Sequence, residues 1–174
     1  VSILWSKFYD PTGGLINELL ALVGVGNNAI EWLGNPDLVM FSASFVSVWQ
    51  YTGYSMILLL AAMEGVPVSV HDAATIDGAG PIRRVVSITF PMIRPVFSVV
   101  VMLILINSLK TFDTIYVLTG GGPGDASTVL SIHLYNNAFQ FYSFGYGSAI
   151  ATVMFIILFA IGLVYQRFLR VDEE

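Results

Sequence analysis

Polar side chains that recur at helical spacing inside otherwise apolar stretches are where this chain could do chemistry. Ser47, Gln50, Tyr51 and Tyr54 fall at i, i+3, i+4 and i+7, and Asn107, Lys110, Thr111 and Thr114 repeat that spacing. Each set would therefore share one face of a helix. Hydroxyls and amides suit hydrogen bonding to a polyhydroxylated ligand, with Tyr or Trp49 stacking on its apolar face. The same residues serve equally well as hydrogen-bonding glue between packed helices. Lys110 and Asp113 are three apart and close enough to pair on a helix; their place near the end of an apolar stretch favours snorkelling to an interface over a proton relay. His71 and His133 stand apart from each other and from any ligand-spaced partner, so no metal site is expected. Gly120 to Gly124 is glycine-rich but lacks the Lys and Ser/Thr of a phosphate-cradling loop, and it reads as a turn.

The elements that position these residues follow from composition. Of 174 residues, 56% are hydrophobic and 11% charged, whereas soluble domains carry about a quarter charged residues. There are no cysteines, and the net charge of -5 comes without the basic runs that nucleic-acid binding would require. Leu38 to Ala62 and Tyr146 to Tyr165 contain no charge, and Pro95 to Leu109 is apolar with a polar continuation to Leu118. Each is long enough, at about 1.5 Å per residue, to cross ~30 Å of hydrocarbon. The expected fold class is an all-α integral membrane protein, a transmembrane helix bundle.

Basic residues set the expected orientation. Arg83, Arg84 and Arg94 lie between the first two spans and Arg167 and Arg170 follow the third, while Tyr9 to Asp37 and Gly120 to Gly145 contain no Lys or Arg. The positive-inside bias then gives this order: 1–8 the end of a preceding span in a fragment of a longer protein, 9–37 periplasmic, 38–62 a span, 63–94 cytoplasmic. A second span follows at 95–118, a periplasmic segment at 119–145, a third span at 146–168 and a cytoplasmic tail at 169–174. Leu15, Ile16, Leu19, Leu20, Leu22 and Val23 predict a short amphipathic helix on the membrane face. Tyr135, Phe139, Phe141, Tyr142, Phe144 and Tyr146 suit either an aromatic belt or ordinary core packing.

The segment Val66 to Pro95 is too polar to cross a membrane and is dense in helix punctuation. Pro67 suits the first position of a helix running from Val68 to Ile76. Asp77-Gly78 ends it, because glycine tolerates the left-handed exit. Gly80-Pro81 starts a second helix with Ile82, Val85, Val86 and Thr89 on one face, and Pro91 and Pro95 are expected to close it.

These residues carry a resemblance. Asp72-Ala73-Ala74-Thr75-Ile76-Asp77-Gly78-Ala79 followed by Ile88-Thr89-Phe90-Pro91 resembles the EAA loop of the permeases of binding-protein-dependent ABC importers, the MetI-like transmembrane domains. Its pattern is Glu-Ala-Ala, three residues, Gly, nine residues, Ile, any residue, Leu and Pro. Two positions depart from it: Asp72 replaces Glu, which keeps the charge on a shorter side chain, and Phe90 replaces Leu. Gly14-Leu15-Ile16-Asn17 and the run Phe112 to Pro123 resemble the sugar and glycerol-phosphate branch, first-permease type.

The resemblance implies a cytoplasmic helix-turn-helix coupling loop that docks in a groove of a separate ABC ATPase. In that role Asp72 and Asp77 would meet basic groups, Ala73 and Ala74 would permit close approach, Gly78 would stop the helix sharply, and Ala79 and Pro91 would complete the coupling motif. It also implies a second permease subunit, an ATPase dimer that uses ATP and Mg²⁺, a periplasmic or lipoprotein sugar-binding protein, and a place among the lipids of a bacterial inner membrane. The chain itself would bind no cofactor and catalyse no reaction. Ser47, Gln50, Tyr51, Tyr54, Asn107 and Thr111 would line the substrate path. An ion-gradient-driven transporter would instead show carboxylates or broken helices at the midplane. An integral-membrane enzyme would show converging acid, base or metal ligands inside the spans.

Overall fold

Asn35 opens the first long helix. Its side-chain oxygen accepts from the Asp37 backbone N–H at 2.8 Å, which satisfies a donor that the first turn leaves free, and Pro36 follows with no donor to satisfy. With no glycine pair or interior proline to stop it, the helix runs from Pro36 to Glu64. In this computed structural model, which describes residues 1–24 and 29–170, every regular element is helical. The helices are α1 (Ser2–Phe8), α2 (Leu15–Leu22), α3 (Pro36–Glu64), α4 (Val68–Ile76), α5 (Pro81–Arg84), α6 (Phe90–Leu109), α7 (Asp113–Thr119), α8 (Leu130–Tyr135) and α9 (Phe144–Arg170). Residues 25–28 of the segment expected to be periplasmic and residues 171–174 of the expected tail lie outside the described residues.

Among the described residues, three helices are long and apolar enough to cross a membrane: α3, the continuous run Pro81–Leu109, and α9 over Phe144–Arg167. The second differs from expectation at both ends. Pro91 and Pro95 do not close a helix; α5 passes through a single π-helical turn, Val85–Thr89, straight into α6, with Pro95 in its interior. A proline ring clashes with the carbonyl four residues back; for Pro91 that is Ser87, inside the π-helical turn, whose wider register relieves the conflict. At the other end the expected span to 118 stops at Leu109. Phe112 leaves helical geometry (φ −129°, ψ −60°), its ring stacks on Tyr116 at 4.9 Å, and Asp113 takes the first turn of α7, where the helix dipole favours an acid.

The chain divides into two compact units, 1–50 with 108–158 and 51–107 with 159–174. In the first, α1 packs on α7, and Trp5, Tyr9, Ala43, Val46, Ile115, Leu118 and Ile132 form the core. Tyr9 donates its hydroxyl to the Ser42 carbonyl at 3.0 Å, and burial holds that phenol above its usual range. In α2 no side chain is buried, which suits an amphipathic helix that meets lipid. Tyr135 is half-buried, its ring 5.2 to 5.5 Å from those of Phe112, Tyr116 and Phe139. Phe139, Phe141, Tyr142, Phe144 and Tyr146 are exposed, the arrangement of a belt.

The Gly120 to Gly124 run is a turn whose polar groups face inward. Ser127, 0% exposed, bonds the Thr119 hydroxyl and donates to the Gly122 carbonyl, both at 2.7 Å. In the second unit, Val66, Ala74, Thr89, Ile93, Ser98 and Val100 are buried, and Tyr165 donates its hydroxyl to the Ser98 carbonyl. The two segments without Lys or Arg, 9–37 and 120–145, both fall in the first unit, and the loop 66–95 falls in the second.

Candidate functional site

Between the first two membrane-length helices the chain makes a short helix, a tight turn and a second helix. Pro67 stands one position earlier than expected, as the residue before α4 (φ −59°, ψ 135°). The exit of α4 is a glycine-type cap. Gly78 takes φ +70° with open space where a Cβ would sit. The Ala79 N–H bonds the Ala74 carbonyl at 2.9 Å and the Gly78 N–H bonds the Thr75 carbonyl at 3.1 Å, which answers two carbonyls the helix end would otherwise leave free. Gly80 is extended (φ −65°, ψ 164°) and leads into Pro81 at the start of α5.

The EAA residues then separate by direction. Asp72, Ala73, Asp77, Gly78 and Pro91 are exposed and Ala79 is half-buried, but Ala74 is only 5% exposed. The reading that Ala74 offers a small surface to a partner is therefore corrected. Its methyl is taken into the protein interior, and Ala73 is the small residue that faces out. Ile76 and Ile82, 87% and 80% exposed, flank the turn, giving an apolar surface edged by the two aspartates.

Sequence reading missed one residue here. Arg84 served there only as a positive charge, yet its guanidinium turns back across the loop. Its Nε donates to the Ala79 carbonyl at 2.8 Å and its Nη1 to the Thr75 hydroxyl at 2.9 Å. Thr75 in turn donates to the His71 carbonyl at 2.8 Å. No spacing rule relates Thr75 to Arg84 nine positions on; only the turn brings them together.

The first polar stripe keeps its register, since Ser47, Gln50, Tyr51 and Tyr54 lie on one uninterrupted helix. Ser47 already donates to the Ala43 carbonyl at 3.3 Å, so it has only acceptor capacity to offer. The ring of Trp49 meets that of Trp5 edge-on at 5.6 Å. The second stripe does not form. Asn107 is in α6, Thr111 lies in the break and Thr114 is in α7, so the helical face assumed for them is interrupted. Ser131 donates to the Thr111 carbonyl, which holds the break open. For the same reason Lys110 and Asp113 share no helix. His133 lies edge-on to Tyr146 at 6.0 Å, and among the described residues no group of three His, Asp or Glu side chains gathers as a metal site.

Membrane-length helices joined by a glycine-capped helix pair define an integral membrane protein of the helical-bundle class. Residues 3–171 match the family described as the binding-protein-dependent transport system inner membrane component, and the chain belongs to it. That family's description is of a membrane component of a transport system. It is similar to the probable ABC transporter permease protein YurN of Bacillus subtilis (strain 168), with 39% identity over all of this chain and 60% of that protein. It is also similar to the trehalose/maltose transport system permease protein MalF of Thermococcus litoralis, with 38% identity over 94% of this chain and 54% of that one. The crystal structure of a bacterial ABC transporter involved in the import of alginate superposes on 99% of this chain and 60% of its own, with a TM-score of 0.85 at 24% identity, a likeness of fold. The chain thus spans a little over half the length of the curated relatives it matches.

Proposed function

We propose that the chain is the membrane-spanning core of a permease subunit in an ATP-driven carbohydrate importer of a bacterial inner membrane, and that α4 docks on a separate cytoplasmic ATPase. The observation that carries this reading is the exposed, glycine-stopped helix set between two membrane-length helices, with its EAA spacing intact and Asp72, Ala73 and Asp77 turned outward. Small and acidic groups on a rigid helix suit a groove with basic edges. ATP and Mg²⁺ are used by that partner.

A second permease subunit and a sugar-binding protein complete the assembly; the family description supports the binding protein. The sidedness is supported by the basic residues themselves: Arg83, Arg84 and Arg94 lie between the first two membrane-length helices, whereas 9–37 and 120–145 carry no Lys or Arg. In α3, the Ser47, Gln50, Tyr51 and Tyr54 face would line the sugar path, with Asn107 and Thr111 near the outer end of the second span.

The test uses the full-length subunit with its partners in proteoliposomes and labelled disaccharides, beginning with maltose and trehalose. Uptake driven by ATP, together with a cross-link from Ala73→Cys to the ATPase, is the expected result. Uptake that follows a proton or sodium gradient without ATP overturns it.

A further inference from the structure

We infer that Arg84 is a positioning residue that locks the docking helix α4 to the membrane helix beyond it, so that the two move as one body. The inference rests on the coupling role proposed above and adds a residue that the EAA pattern does not contain.

The link between the two helices is intrinsically loose. Gly78 and Gly80 sit on either side of Ala79, and a Cβ at either glycine would meet nothing within 4 Å, so nothing packs against the glycines themselves to limit their rotation. Backbone bonds cap α4 onto itself, Ala79 to Ala74 and Gly78 to Thr75, and the Arg84 N–H bonds the Gly80 carbonyl at 3.0 Å within the start of the next helix. None of these bonds ties the body of α4 to the body of α5. A force applied to α4 through such a joint would be absorbed as rotation at the glycines.

Arg84 closes the joint. One planar guanidinium reaches both the turn, at the Ala79 carbonyl, and the last turn of α4, at the Thr75 hydroxyl. The Thr75 hydroxyl passes its own proton to the His71 carbonyl one turn further back, so it is held as an acceptor facing Arg84. Two donors in a fixed plane resist rotation as well as separation, which a lysine's single ammonium on a flexible stem cannot do. Arg84 is also the last residue before the π-helical turn that runs unbroken into α6. The anchor therefore stands on the membrane helix itself. Its neighbour Arg83 is fully outside this arrangement and exposed.

The test is a distance between spin labels in the full-length complex. Residues 1–174 contain no cysteine; with any cysteine elsewhere in the complex replaced by serine, Ile76→Cys and Val96→Cys, both exposed positions, carry the labels. Distances are measured without nucleotide and with ATP plus vanadate. With Arg84 present, one narrow distribution unchanged between the two states is expected. In Arg84→Ala the distribution broadens and shifts with nucleotide, the displaced population rising about tenfold or more, the scale of a lost charge-assisted hydrogen bond. Thr75→Val behaves like Arg84→Ala and Thr75→Ser like the unmodified chain, a pattern that misfolding would not produce.

An unchanged narrow distribution in Arg84→Ala, or a nucleotide-dependent distance in the unmodified chain, overturns the clamp. Formation of the Ala73→Cys cross-link to the ATPase alongside that result would leave the coupling role standing and remove only the clamp. Absence of the cross-link in the otherwise unmodified chain removes both.

Discussion

Gly78 and Gly80 form an internally controlled pair, two residues apart in the same turn and alike in having open space where a Cβ would be added. They differ in backbone conformation. Gly78 has φ +70°, a region that costs an L-residue about 1–2 kcal/mol, whereas Gly80 has φ −65° and ψ 164°, an extended geometry favoured before proline. Because no neighbouring atom obstructs either methyl, the whole difference is backbone strain. Gly78→Ala should therefore raise the local opening of the α4 exit by roughly 5- to 30-fold, the factor that ~1–2 kcal/mol sets. Gly80→Ala should leave opening unchanged or reduce it, since it removes unfolded-state freedom worth ~0.4–1 kcal/mol. Gly78→Val is harsher again, because a β-branched residue at positive φ is a genuine outlier. Hydrogen exchange of the amides from Ala74 to Ala79 in the full-length protein reads this directly. Equal acceleration in the two alanine variants, or faster exchange in Gly80→Ala, would refute the argument from φ.

Two further outcomes are expected outside the docking helix. Ser127→Ala removes the bonds to Thr119 and Gly122 from a fully buried site, and thermal unfolding in detergent should show a loss of about 1–3 kcal/mol, the cost of leaving a buried polar partner unmatched. Asp10 accepts from the Thr12 N–H at 2.9 Å and from its hydroxyl at 3.0 Å, and these bonds, the backbone one foremost, hold its carboxyl below the ordinary 3.8. A lowered folded-state value means the contribution to this turn is present above the unfolded pKa and is lost as pH falls through the folded one. In Thr12→Ala the Asp10 carboxyl, followed by NMR of labelled aspartate, should titrate closer to 3.8; no change would show that the hydroxyl has no part in the shift.

What the sequence by itself determined was whatever depends on short-range composition and spacing. Membrane crossing follows from uninterrupted apolar length, because hydrocarbon leaves the backbone no partner but its own helix. The α4 stop follows from Gly78, because only glycine occupies that conformation without strain. Tertiary structure decided what depends on residues far apart or on relief of local conflict. Pro91 and Pro95 read as helix stops, yet the helix continues through both, with a π-helical turn at the Ser87 carbonyl that Pro91 opposes. Asn107 and Thr111 have helical spacing, yet α6 ends between them, where half-buried Phe112 leaves helical geometry and packs on Tyr116 and Tyr135. Ala73 and Ala74 are identical in type and adjacent, and only packing turns one methyl inward and leaves the other exposed. Arg84 reads as a charge in the sequence and becomes a clamp only when the turn folds Thr75 back within 2.9 Å of it. A hydrogen bond acts over a few ångströms of space, and a linear spacing rule does not reach across such a turn.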